Sequence, residues 1–186
     1  MRPNWIKVVA ILAALWLSVW GAITLVRRNQ PTPDRIVAYA SANTLEGRPA
    51  AERAKIIEAV ASQVNRLEYD QRRELNQHRK LDSFWNSLSA EERARYLDLV
   101  LPTGFKQMME NFNKMEPGKR KRMVQKAVDD LRARSGDAPP RDMDDAQLKK
   151  IVNQGLQSFY SDATIEAKMD ALPFIEALEQ SVKWAH

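Results

Sequence analysis

The stretch "LSAEERARYLDLV", residues Leu88 to Val100, decides the fold class. Ser89 followed three positions later by Glu92 spells a capping box, in which each residue's side chain accepts the other's backbone N–H, and Leu88 just ahead is placed to staple onto the first turn. A helix therefore starts inside the chain near Ala90, and comparable starts recur on both sides of it.

Upstream, Thr32-Pro33-Asp34 reads as an N-cap with proline at the first helical position, opening a short helix to about Ala42. A helix from about Pro49 to Leu67 places Ile56, Ile57, Val60 and Val64 on one side, and the next, about Tyr69 to Leu88, packs Leu75, Leu81, Phe84 and Trp85. Downstream, Pro102 with Gly104 predicts a kink or break, after which Phe105, Met108, Met109, Phe112 and Met115 form another apolar face. Pro117 opens a helix carrying Met123, Val124, Val128 and Leu131 that ends near Ser135-Gly136. The run "GDAPPRDM" (136–143) is the longest predicted loop and a candidate hinge. Asp144 caps a helix with Leu148, Ile151, Val152, Leu156 and Phe159, and a last helix from about Ala163 to Trp184 is expected to bend at Pro173. With only 6 glycines and no β-branched run, no segment reads as a strand.

The N-terminus is of another kind. Between Val8 and Val26 there is no charged residue, and a helix over Trp5 to Val26 rises about 33 Å, enough for a hydrocarbon core of about 30 Å. Trp5, Lys7, Arg27 and Arg28 mark its two interfaces, with the Lys7 stem long enough to carry its ammonium back to the headgroups. A cleaved signal peptide is the competing reading. The apolar run is too long for one, and Ser18-Val19-Trp20 puts an indole where a small residue is needed. The expected organisation is a tail (1–4), a transmembrane signal anchor (5–28), a linker (29–31) and a helical soluble domain (32–186): an all-α chain with one membrane helix followed by a compact multi-helix bundle. Positive charge flanks both ends of the anchor; the very short basic N-terminus favours a cytoplasmic N-terminus and an extracytoplasmic domain. Ala10, Ala14, Ser18 and Ala22 form an i, i+4 series of small residues through which two copies of the anchor can approach and dimerise.

Composition then excludes several functions. The chain carries +5 overall, from 29 basic and 24 acidic residues, but Arg2, Lys7, Arg27 and Arg28 belong to the anchor and its flanks. Removing those four from the 29 leaves 25 basic against 24 acidic residues, a near-neutral domain without the surplus that nucleic-acid binding draws on. There is no cysteine, which removes disulfides, iron–sulfur clusters and thiol catalysis. No Gly-rich phosphate loop, Gly-x-Ser-x-Gly elbow or HExxH motif is present, and no cofactor is expected.

Three segments share a pattern: "LEYDQRREL", "LSAEERARY" and "MEPGKRKRM" each place an apolar leader (Leu67, Leu88, Met115) before a cap-like position and an arginine (Arg72, Arg93, Arg120) five residues on. Their predicted role is to start helices at bundle corners. The first two also resemble the leucine-threonine-two variable residues-glutamine helix head of small periplasmic stress chaperones of the Spy and CpxP kind. Leu67 and Gln71 match its ends with Glu68 in place of threonine; Leu88 and Ser89 match, while Glu92 replaces glutamine. The resemblance covers these ten positions, and such chaperones normally lack a retained anchor.

Two clusters stand out as candidate sites. Lys119, Arg120, Lys121 and Arg122 lie in or beside a predicted first helical turn, where the helix dipole disfavours cations, and so form a candidate contact for anionic lipid or an acidic partner. Glu74, His78 and Asp82 recur every four residues on one predicted helix and are weak candidates for a metal site or acid/base pair, with His78 expected to be partly buried between Leu75 and Trp85. Met108, Met109, Met115 and Met123 read as core filling before they read as a copper site. The function expected from the sequence is a non-enzymatic, membrane-anchored helical domain that binds a membrane-proximal protein as adaptor, regulator or chaperone-like factor. A module docking on anionic lipid through residues 119–122 is the alternative, and a metal-dependent enzyme the remote third.

Overall fold

The computed structural model describes residues 30–133 and 144–183. Among the described residues there are eight helices and no strand: α1 (Pro33–Ala42), α2 (Ala50–Asn65), α3 (Tyr69–Gln77), α4 (Asp82–Asn86), α5 (Ala90–Lys114), α6 (Pro117–Ala133), α7 (Asp145–Asp162) and α8 (Ile165–Lys183). The all-α expectation holds. The apolar segment 5–28, with its interface residues Trp5, Lys7, Arg27 and Arg28 and its series Ala10, Ala14, Ser18 and Ala22, lies outside the described residues, as does the candidate hinge 136–143. Among the described residues no helix is long and apolar enough to cross a membrane.

The helices start where short-range chemistry says they should. Thr32 Oγ1 accepts from the Arg35 amide at 3.4 Å ahead of Pro33. The Ser89–Glu92 box is closed in both directions, Glu92 N donating to Ser89 Oγ at 3.3 Å and Ser89 N to Glu92 Oε2 at 2.9 Å. Asp144 Oδ1 accepts from Gln147 N at 2.7 Å. Each bond satisfies an amide that the first turn of a helix leaves without an internal partner.

Two apolar clusters are built on these helices. The N-terminal one gathers Ile36 of α1, Ile57 and Val60 of α2, Leu75 of α3, Phe84 of α4 and Tyr96 of α5. The C-terminal one gathers Met109 and Phe112 of α5, Val124 and Val128 of α6, Phe159 of α7 and the buried alanines of α8. Helix α5 serves both, its first half facing one cluster and its second half the other; at 25 residues it is about 37 Å long. Helix α7 runs parallel beside it: Lys150 meets Asp98 at 2.7 Å, Gly155 lies against Phe105, and Asn113 Nδ2 reaches the Asp162 carbonyl at 2.8 Å. A Cβ on Gly155 would stand 3.1 Å from the Phe105 ring, so glycine is what lets the two helices approach this closely.

Asn113 ties three helix ends together. Besides Asp162, its Oδ1 accepts from Thr164 N at 2.9 Å and its carbonyl from Arg120 Nη1 at 3.4 Å. Helix α8 then lies on α6 through Ala167 and Ala171, both buried and four residues apart, small enough for close packing, with the α7 C-cap Ala163 buried just ahead of them. Its opposite side carries Ile165, Met169 and Leu172, which are 75%, 67% and 49% exposed.

Two expectations about element boundaries are corrected. The single helix expected over Tyr69 to Leu88 is broken at 78–81, with Arg79 in the left-handed region at φ 49°. After Leu75 the positions that would continue the buried face, His78 and Arg79, are polar and exposed, so helix continuation gains no burial there. The turn instead brings Leu81 and Phe84 to the core and Lys80 to Asp34 and Glu74, at 2.9 and 2.8 Å. Conversely, α5 runs through Pro102 without a break. Side chains from α2 and α3 bond the carbonyls just ahead of the proline: Asn65 Nδ2 donates to Leu99 O at 2.8 Å and Arg72 Nη1 to Val100 O at 3.4 Å. Pro102 removes the amide that would bond the Asp98 carbonyl, and the two carbonyls that follow it are held by these partners from outside the helix.

Candidate functional site

The three arginines of the recurring helix heads share a use that spacing alone does not disclose. Each turns back to the C-terminal carbonyls of a helix that ends just before its own begins. Arg72 Nη2 donates to Val64 O at the end of α2, at 2.9 Å. Arg93 Nε donates to Trp85 O of α4 at 3.2 Å, its guanidinium 5.2 Å from the Trp85 ring centroid. Arg120 Nη1 donates to Met115 O at 2.9 Å, just past the end of α5. A cation at a helix C-terminus meets both orphan carbonyls and the negative end of the helix dipole. The leaders Leu67 and Leu88 are buried and Met115 is half-buried, as a corner role requires.

Arg72 also borders a groove of about 710 Å³ between α3, α4, α5 and α7. Its floor is made by core side chains, among them Val64, Leu75, Phe84, Tyr96 and Val100. Half-buried Leu81 and Trp85 form one lip, and Phe105, Met108 and Ile151 the opposite wall. The rim is polar, with Arg73, Asn76, Gln77 and Arg79 exposed along it. A volume of this size with an apolar floor and a few placed polar groups is the usual form of a binding site.

The electrostatics of the floor centre on Arg72. It is 7% exposed, and its guanidinium bonds only neutral oxygens: Gln107 Oε1 at 3.0 Å, Val64 O at 2.9 Å, Asn65 Oδ1 at 3.3 Å and Val100 O at 3.4 Å. No described carboxylate pairs with it. Burial pushes its pKa down, and the neighbouring Tyr96 offsets this in part. Gly104 gives the guanidinium its room, since a Cβ there would stand 3.3 Å from Nη1.

Burial likewise pushes the Tyr96 phenol from 10.0 up to about 12, against the pull of Arg72. An acid whose pKa is raised by folding holds its proton more tightly folded than unfolded. Its stabilising contribution is therefore complete below about pH 10 and is lost as pH climbs to about 12, a change of about 2–3 kcal/mol. Denaturant melts across that window are expected to show the loss, and Tyr96→Phe to flatten it. A wild-type slope equal to that of Tyr96→Phe would contradict the assignment.

The sequence-derived candidates fall elsewhere. Glu74, His78 and Asp82 do not share one helix face, because the turn at 78–81 separates them. Glu74 binds Lys80, Asp82 binds Arg79 at 2.6 Å, and His78 is exposed at the C-cap of α3 rather than partly buried. No group of metal-ligating side chains assembles among the described residues. In the basic run, Lys119, Lys121 and Arg122 are exposed, whereas Arg120 is 6% exposed and its Nε donates to Asp170 Oδ2 at 2.8 Å. Arg120 thus belongs to the interior and not to a four-residue anionic-contact surface. Of the methionines, Met109 is buried, Met108 and Met115 pack beside it, and Met123 is 43% exposed instead of lying in the core.

Sequence reasoning missed the groove and Arg72's place in it. A usable hint was present: a basic residue in a first helical turn opposes the dipole, so its recurrence after an apolar leader implies a carbonyl partner nearby. Set against protein-family models, curated proteins and solved structures, the chain matches none, and the resemblance of the first two helix heads to the periplasmic chaperones gains nothing from these comparisons.

Proposed function

We propose that the chain is a non-enzymatic, single-pass membrane-anchored domain that binds other proteins close to the bilayer, as an adaptor, regulator or chaperone-like factor, with residues 5–28 as the anchor and the domain outside the cytoplasm. The groove carries the reading: its apolar floor, half-buried aromatic lip and guanidinium rim suit an amphipathic protein segment, the helix-in-groove mode of recognition. Anchoring raises the effective concentration of membrane neighbours, so modest intrinsic affinity is sufficient.

The test is site-specific photo-crosslinking of the full chain in its own membranes. A cross-linker at Gln77, on the exposed rim, is expected to give discrete protein adducts that one at Lys55, an exposed α2 position outside the lining, does not. Identical adducts from the two positions would refute the groove as the binding surface. Two companion outcomes belong to the anchor: the full chain resists alkaline extraction while a chain lacking 5–28 is released, and a reporter fused after His186 is active outside the cytoplasm.

A further inference from the structure

We infer that the groove accepts an amphipathic helix of a partner protein that presents a carboxylate among its apolar anchors, the carboxylate bonding Arg72 and Arg73. This rests on the protein-binding reading and names the partner's chemistry.

The geometry leaves a cation unanswered at the right place. A guanidinium has five N–H donors, and Arg72 uses four, the bond from Nη1 being the longest at 3.4 Å. The unused donor is on Nη1, beside Gly104, and both residues line the groove. Two other arginines of the fold with low exposure, Arg120 and Arg53, are paired with carboxylates, Asp170 and Glu92. A buried cation lacking such a partner is unfavourable, and a carboxylate delivered by a ligand would supply it in a site from which water is displaced on binding. One residue on, Arg73 stands exposed on the rim with no described partner. Arg72 at the floor and Arg73 on the rim thus both line the groove, with Asp82 the sole carboxylate in the lining and already held by Arg79.

The shape favours a helix over a single acyl chain. The trough is open along a polar rim, so a ligand lying in it presents one face to the Phe84 and Trp85 side and the other to water. A two-faced helix meets that requirement, and a uniformly apolar chain does not.

The experiment measures binding of a labelled synthetic amphipathic helix, bearing one central Glu among leucines, to the full chain in zwitterionic phosphatidylcholine nanodiscs. Replacing that Glu by Gln is expected to weaken binding about tenfold or more, the loss of a charge-assisted bond. Arg73→Glu, a surface change that leaves the core untouched, is expected to weaken the Glu helix similarly and to improve binding of a helix carrying Lys at that position. Equal binding of the Glu and Gln helices, no gain in the reversed pair, or no saturable binding of any helix would each overturn the inference. So would stoichiometric displacement of the helix by oleate that Arg73→Glu abolishes, since this would assign the groove to an anionic acyl chain. If the Gln77 cross-links persist while the carboxylate proves irrelevant, the protein-binding reading stands and only the partner chemistry fails; if the cross-links too are absent, both fail.

Discussion

Replacing Arg120 by alanine is expected to lower the unfolding free energy by about 3–5 kcal/mol, the range for removing one partner of a buried ion pair. The guanidinium does three things at once. It pairs with Asp170 of α8 at 2.8 Å, with both side chains nearly buried, it caps the end of α5 through Asn113 O and Met115 O, and it lies 6.0 Å from the Phe112 ring centroid. Deleting it leaves the Asp170 carboxylate in the interior with only a distant Lys121 ammonium at 3.9 Å, so the penalty is mostly that of an uncompensated charge. The double change Arg120→Met with Asp170→Leu is expected to recover much of the loss, because a matched apolar pair strands no charge. Urea melts of the single and double variants measure this; a single variant within 1 kcal/mol of wild type, taken as about the scale of an exposed pair, would show that the bridge is solvated.

A second large effect is expected at Phe112, where substitution by alanine should cost about 3–5 kcal/mol through lost burial and a residual cavity. Phe112 belongs to the C-terminal cluster alone, so the damage is expected to be uneven. Amide exchange should accelerate first in α6, α7 and α8, while the amides of α2 around Ile57, which is 0% exposed, keep their protection. Uniform acceleration would mean that the two clusters unfold as one unit and that α5 transmits the loss in full.

How much of this was written in local sequence depends on how far each interaction reaches. The caps at Thr32, Ser89 and Asp144 act over three residues, and their residue types announced them. Helix type and the apolar side of α2 were equally legible, since Ile56, Ile57, Val60 and Val64 repeat at helical spacing. The tertiary bonds are not local: at the groove Arg72 reaches Val100 across 28 positions, and between α6 and α8 Arg120 reaches Asp170 across 50. The same distance effect explains the misread boundaries. Pro102 disfavours an isolated helix, but α5 continues through it packed among other helices, with Asn65 and Arg72 arriving from elsewhere to bond Leu99 O and Val100 O. The stretch after Leu75 would extend an isolated helix, but the core rewards a turn that delivers Phe84.

The chain is already committed to the fold at Pro31, which is buried, and α1 follows at once with Ile36 fully enclosed. Only three residue steps separate Arg28 from that point, a span of about 10 Å at full stretch. If 5–28 crosses a bilayer, the domain is on a leash far shorter than its long helix α5 and cannot wander over neighbouring proteins. It would meet them at a nearly fixed height, so the helices within its reach are those leaving the headgroup layer, and a partner's distance from the membrane would become as selective as its sequence.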